Sequence, residues 1–146
     1  MNDIEFVHAF IGQLEMCTKL DGDLYPATDW RLSYCGQRGL IAIYTNSYDM
    51  VIACFNPDGQ RRRLQTTAGY LAVYEPAYVI TTKNSIYRFI EAGIDEDESR
   101  LLCKTYEETG VPKEVIETAV STALETGRIH MKSVKTRSLM MEDIER

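Results

Sequence analysis

Two short apolar runs set close together, Leu40–Thr45 and Met50–Phe55, constrain this chain more than any other feature. Both are rich in β-branched and aromatic side chains, which suit a pleated, half-buried surface. Asn46-Ser47-Tyr48-Asp49 separates them, and Asn56-Pro57-Asp58-Gly59 follows the second. In that second turn Pro57 presets one dihedral and Gly59 accepts a left-handed conformation. The stretch Gly39–Thr67 therefore reads as the centre of an antiparallel meander. Leu40, Ala42 and Tyr44 point one way and Ile41 and Ile43 the other, so both faces are apolar and both call for cover. Arg61–Thr67 reads as a further strand, polar enough for an edge. Upstream, Trp30, Leu32 and Tyr34 alternate as a first strand. Downstream, Tyr70–Tyr74 fits a strand or one helical turn, and Tyr78–Thr82 is extended.

Helical patterns flank the meander. Val7, Phe10, Ile11, Leu14 and Cys17 recur at the spacing of one helical face, with Asn2 or Asp3 as a cap and Asp21-Gly22-Asp23 as a stop. Asn84 or Ser85 caps a short helix Ile86–Ala92, closed by Gly93. Asp95–Thr109 carries acids in its first turn and ends at Gly110. Pro112 opens a helix with the stripe Val115, Ile116, Ala119, Val120, Ala123 and Leu124, terminated at Gly127. Ile129 and Met131 then alternate with basic residues as a short edge strand, and Ser138–Glu145 reads as a last helical turn or two, or as a frayed end. The sum is a single α+β domain of 146 residues. It has an N-terminal helix over 3–20, an antiparallel meander of three to five strands over about 30–82, a helical region over about 85–126 and a basic tail over 127–146. A chain of this length buries roughly 68–70% of its unfolded surface and needs no staples.

Composition narrows the function classes. A net charge of −6 opposes general affinity for nucleic acid or anionic membrane. No apolar run approaches the ~20 residues that span a bilayer, and the acidic N-terminus does not resemble a signal peptide. The four cysteines form no C-x-x-C pair, and only His8 and His130 could join them, so reduced thiols in a cytoplasmic protein are expected, with neither metal nor cofactor. His8, with one other histidine for company, reads as a surface or partly buried side chain. Cys35 beside Arg38 has surroundings that could lower a thiol pKa. No base is tied to it, and no nucleophile elbow, zinc motif or phosphate loop occurs, so an enzyme is not expected. A cysteine enzyme or small-molecule pocket would require a deep cleft around Cys35.

Charge carries more. Between Glu91 and Leu124, nine acids (Glu91, Asp95, Glu96, Asp97, Glu98, Glu107, Glu108, Glu114, Glu117) face three bases (Arg100, Lys104, Lys113). From Gly127 to Met141, Arg128, Lys132, Lys135 and Arg137 stand without an acid. Arg61, Arg62 and Arg63 cluster at a hairpin tip, where guanidinium groups can grip carboxylate or phosphate. Tyr44, Tyr70, Tyr74, Tyr78 and Tyr87 fall on or beside the sheet, as a protein interface or a base-stacking face would have them. Leu102–Ile116, with Gly110, Val111 and Ile116 at the usual offsets, resembles a helix-turn-helix turn, and Gly127-Arg128-Ile129 resembles entry to a wing. The resemblance covers about a quarter of the chain and implies a winged-helix shape. Tyr106 stands where such motifs take a small residue, and phosphates would repel Glu114, Glu117 and Glu125 on the second helix. These features point to a small protein-binding module: an adaptor, inhibitor or regulator of a basic partner, such as a nucleic-acid-handling protein. It would act through Arg61, Arg62, Arg63, Glu107, Glu108, Glu114 and Glu117. The alternative is nucleic-acid binding through Arg128, Lys132, Lys135 and Arg137.

Overall fold

A computed structural model of the chain describes residues 4–55, 62–100 and 110–145, with side chains as far as 129. Seven antiparallel strands form one sheet: β1 (Glu5–Lys19), β2 (Arg38–Asn46), β3 (Tyr48–Phe55), β4 (Arg62–Gln65), β5 (Gly69–Tyr74), β6 (Ala77–Thr82) and β7 (Ser85–Glu91). Their spatial order is β2-β1-β7-β6-β5-β3-β4, and β2 also pairs with β3, so the sheet closes on itself as a barrel. A single long helix, Lys113–Glu145, follows.

β2 and β3 lie where the two apolar runs put them, paired from Gly39↔Phe55 to Asn46↔Tyr48 around Ser47, whose φ is 64°. The expected cover on both faces is present. Ile41 and Ile43 join Phe10, Leu14, Val51, Phe55, Ile80 and Phe89 inside the barrel. Leu40 and Ala42 join Ala9, Ile11, Ala119 and Ala123 beneath the helix. Each large side chain so buried contributes about 1.5–3 kcal/mol.

The N-terminal helix expected over 3–20 is instead the longest strand. β1 carries two bulges, one between Phe6 and His8 and one between Leu14 and Met16. Each inserts one residue and flips the side-chain parity. Interior residues consequently fall at Phe10, Leu14 and Cys17 and outer ones at Phe6, Ala9 and Ile11. This spacing of threes and fours imitates a helical stripe. The bulges also let β1 change partners. Its first half pairs with β2 from Glu5↔Thr45 to Gln13↔Arg38, and its second half with β7 from Gly12↔Glu91 to Lys19↔Ser85. Gly12 sits at the crossover, where a Cβ would lie 2.5 Å from the Ile90 carbonyl oxygen and 2.6 Å from the Phe10 ring.

Three further expectations are corrected. Trp30–Tyr34 is a 3-10 turn rather than a strand, because Asp29 caps it by accepting from the Arg31 amide at 2.9 Å. Of the helix expected over 86–92, residues 86–91 belong to β7 and none is helical: Tyr87 and Phe89 alternate into the interior, and the pairing with β1 and β6 fixes the extended backbone. Gly127 does not end the last helix, which runs unbroken to Glu145, so neither a basic edge strand at 129–132 nor a wing forms. Gly127 allows close contact instead. A Cβ there would lie 2.4 Å from the Ile94 carbonyl oxygen, one on Gly93 would lie 2.7 Å from the Gly127 nitrogen, and the Ile94 amide donates to the Ala123 carbonyl at 3.0 Å. Among the described residues the fold is thus a seven-stranded antiparallel sheet with one long helix, not an α+β meander of three to five strands. Residues 96–100 are helical. The remainder of the helix expected to Thr109 and the Asn56–Gly59 turn lie outside the described residues.

β4 and β5 are nearly one strand, interrupted around Thr66. The buried Thr66 donates its amide to the Val51 carbonyl at 2.9 Å and accepts the Val51 amide on its hydroxyl at 3.0 Å. Beyond it β5 meets β3 at a single pair, Asp49↔Gly69, where the Asp49 carboxylate accepts the Leu71 amide at 2.8 Å. No helix among the described residues is long and apolar enough to cross a membrane.

Candidate functional site

The first half of β1, the end of β7 and the start of the helix enclose a cleft of about 580 Å3. His8, Ala9, Phe10 and Ile11 form one wall, and Pro76, Glu91 and Ala92 form another. The helix supplies Val115, Ala119 and Ala123 as apolar floor, with Glu114, Thr118, Thr122 and Thr126 as a stripe at four-residue spacing. Thr118 and Thr126 donate their hydroxyls to the carbonyls of Glu114 and Thr122, both at 2.9 Å, so the stripe is partly self-satisfied.

Two exposed carboxylates, Glu91 and Glu114, border the cleft, and among the described residues its lining contains no lysine or arginine. Glu91 accepts the Tyr78 hydroxyl at 3.0 Å. Burial, the bond to Glu91, and the charges of Glu91 and Glu75 together push the Tyr78 phenol up to about 12, so Tyr78 remains a neutral donor. Glu114 lies in the first helical turn, where the dipole favours negative charge. His8 stacks at 5.9 Å on Phe10 and 6.0 Å on Tyr78, and Tyr78 stacks on Phe10 at 4.3 Å. The arrangement offers an apolar trough of ligand-binding size edged by negative charge.

The expected site residues separate in space. Glu114 is in the cleft, whereas Glu117 borders the opposite flank of the helix with Ile116, Val120 and Arg128 and pairs with Lys113 at 4.0 Å. Arg62 stacks on the Tyr34 ring at 4.4 Å and donates to the Ser33 hydroxyl at 2.8 Å. Arg63 donates to the Gln65 side chain at 3.1 Å. Arg61, Glu107 and Glu108 lie outside the described residues. Arg128 pairs with Glu96 at 3.3 Å and Glu125 at 3.6 Å, so acids flank this member of the basic tail. Lys132, Lys135 and Arg137 lie on the helix, with their side chains outside the description.

The five tyrosines do not share one face. Tyr78 and Tyr87 are inside the barrel, Tyr44 packs with Phe6 beneath the helix, and Tyr70 and Tyr74 are about two-thirds exposed on β5. Cys35 packs against the barrel core, and burial raises its pKa, the reverse of an activated nucleophile. Its neighbour Arg38 is held bidentately by Glu98 at 2.8 and 2.7 Å. Among the described residues, no three His, Cys, Asp or Glu side chains are grouped to hold a metal ion.

Neither Glu91 nor His8 carries a local signal in the sequence that marks it as a site residue. Glu91 is one acid among nine in its stretch and His8 a lone histidine, and it is the closure of β1 on β7 that brings them to one cleft. Comparison with family models, with curated proteins and with solved structures gives no match for this chain.

Proposed function

We propose that this chain is a protein-binding module, an adaptor, inhibitor or regulator, that takes a basic segment of its partner into the cleft between barrel and helix. The observation that carries this reading is the cleft's composition: an apolar floor, two carboxylates and, among the described residues, no lysine or arginine in its lining. A lysine or arginine suits such a trough, since its methylene stem covers apolar surface while its charged head meets a carboxylate. The overall charge of −6 adds long-range attraction to the same partner.

A direct test titrates the chain with the acetylated, amidated hexapeptide Val-Thr-Lys-Lys-Val-Thr and with its Glu-Glu counterpart. The lysine peptide binds and the glutamate peptide does not. The double variant Glu91→Lys, Glu114→Lys weakens lysine-peptide binding by at least about tenfold, and the loss shrinks as salt is raised. Glu15→Lys, on the second half of β1 beside Arg88, changes little. Equal binding of both peptides, or no effect of the double variant, would overturn the reading.

A further inference from the structure

The cleft touches four consecutive residues of β1, His8 through Ile11. Successive side chains of a strand point to opposite faces. Here Phe10 belongs to the barrel interior, while Ala9 and Ile11 belong to the layer under the helix. A cavity that meets both sets runs along the edge of the strand, not over a face.

That edge is the one β7 leaves. Pairing between β7 and β1 stops at Gly12↔Glu91, and one further bond follows, from the Ala92 amide to the Ile11 carbonyl at 3.0 Å. Among the described residues no strand continues along this edge, whereas the other edge of β1 stays paired with β2 out to Glu5↔Thr45. Backbone groups alternate along a strand with a period of two, so Ala9 presents its N–H and C=O on the same edge as Ile11.

Resting on the reading of the cleft as the seat of a basic partner, we infer that the partner's segment binds in extended form, as an added strand on the free edge of β1 at residues 5–9. It takes the line that β7 abandons. Main-chain bonds to β1 hold it, and its side chains alternate between the two sides of the cleft. The charges set its sequence. Glu91 reaches Tyr78, a residue of the interior, and Glu114 stands on the helix over the outer layer. The two carboxylates therefore flank the added strand on opposite faces, and they call for basic residues at adjacent positions of the partner.

Strand addition is distinguished from side-chain capture by N-methylation. The amides of the hexapeptide Val-Thr-Lys-Lys-Val-Thr alternate between its two edges, so methylating the first, third and fifth residues blocks one edge, and methylating the others blocks the opposite edge. One methylated peptide loses binding to the full chain by at least about tenfold and the other stays within about twofold of the parent. The Ala9 amide also gains protection from hydrogen exchange when the parent peptide is bound. Equal behaviour of the two methylated peptides, whether both bind or both fail, overturns strand addition and leaves the basic-partner reading standing if the parent still outbinds its glutamate counterpart. A parent peptide that binds no better than that counterpart removes both.

Discussion

The two halves of β1 are one strand in two situations. From Gly12 to Lys19 it is paired with β7, and bonds from Gly36 to Leu14 and the Thr18↔Leu24 bridge tie its opposite edge. From Glu5 to Ile11 it is paired with β2 alone, and its other edge faces the cleft. The second half ends against a polar cluster, where the Tyr25 hydroxyl meets the Ser85 hydroxyl at 2.5 Å and Arg31 lies 4.5 Å over the Tyr25 ring. The first half ends among exposed Ile4, Val7 and His8. The lesson is that closing a barrel with a bulged strand ties one end on both edges and leaves the other with backbone groups and apolar surface to offer.

The sharpest way to break this contrast is at its boundary. Gly12→Val places side-chain atoms where the Ile90 carbonyl and Phe10 ring already stand. It costs at least about 3 kcal/mol, read from denaturant unfolding, and loosens both halves together. Next in size is Gly127→Val, which pushes the helix off Gly93 and Ile94. A loss of about 2 kcal/mol is expected, with faster hydrogen exchange over residues 5–11 and unchanged exchange over 12–19. Equal effects on the two halves would show that the helix supports the whole strand.

The smallest effect belongs to Tyr78→Phe, which removes the bond to Glu91 at a cost of about 1 kcal/mol at neutral pH. Its clearer signature is alkaline. The Tyr78 pKa rises from about 10 to about 12 in the fold, so its contribution is intact below pH 10. It is lost as the unfolded phenol ionises ahead of the folded one, by up to about 2 kcal/mol between pH 10 and 12. Tyr78→Phe flattens that window, while Cys17, pushed to about 11 by burial, keeps its own share of the decline.

How much of this was legible depended on whether local and tertiary signals agreed. The β2–β3 hairpin was readable because its turn, its β-branched runs and its two apolar faces all say the same thing. β1 was not, because Val7 and the residue after Leu14 are bulges, and a bulge leaves no mark in composition. The apolar spacing it produces is that of a helix. Residues 86–92 misled in a similar way: Ile86 and Ile90 sit four apart behind a cap-like Asn84-Ser85, and only the pairing with β1 and β6 makes them a strand. Gly127 looks like a stop in sequence, yet its use is steric and depends on a loop more than thirty residues earlier. At the site, Glu114 is legible in the sequence as one of four helical acids expected to meet a partner, but only closure of the sheet sets it beside Glu91 and His8 and apart from Glu117.

The junction of β3 with β5 has a consequence for how the molecule breathes. One residue pair and one carboxylate-to-amide bond join β3 to β5 directly, with the two Thr66–Val51 bonds beside them, against seven or eight pairs at the joints of β1 with its neighbours. A cylinder of staves parts where it is nailed least. Thermal opening therefore begins on the wall at Asp49, exposing Leu71 and the inner lining there, while the wall that carries the cleft stays shut.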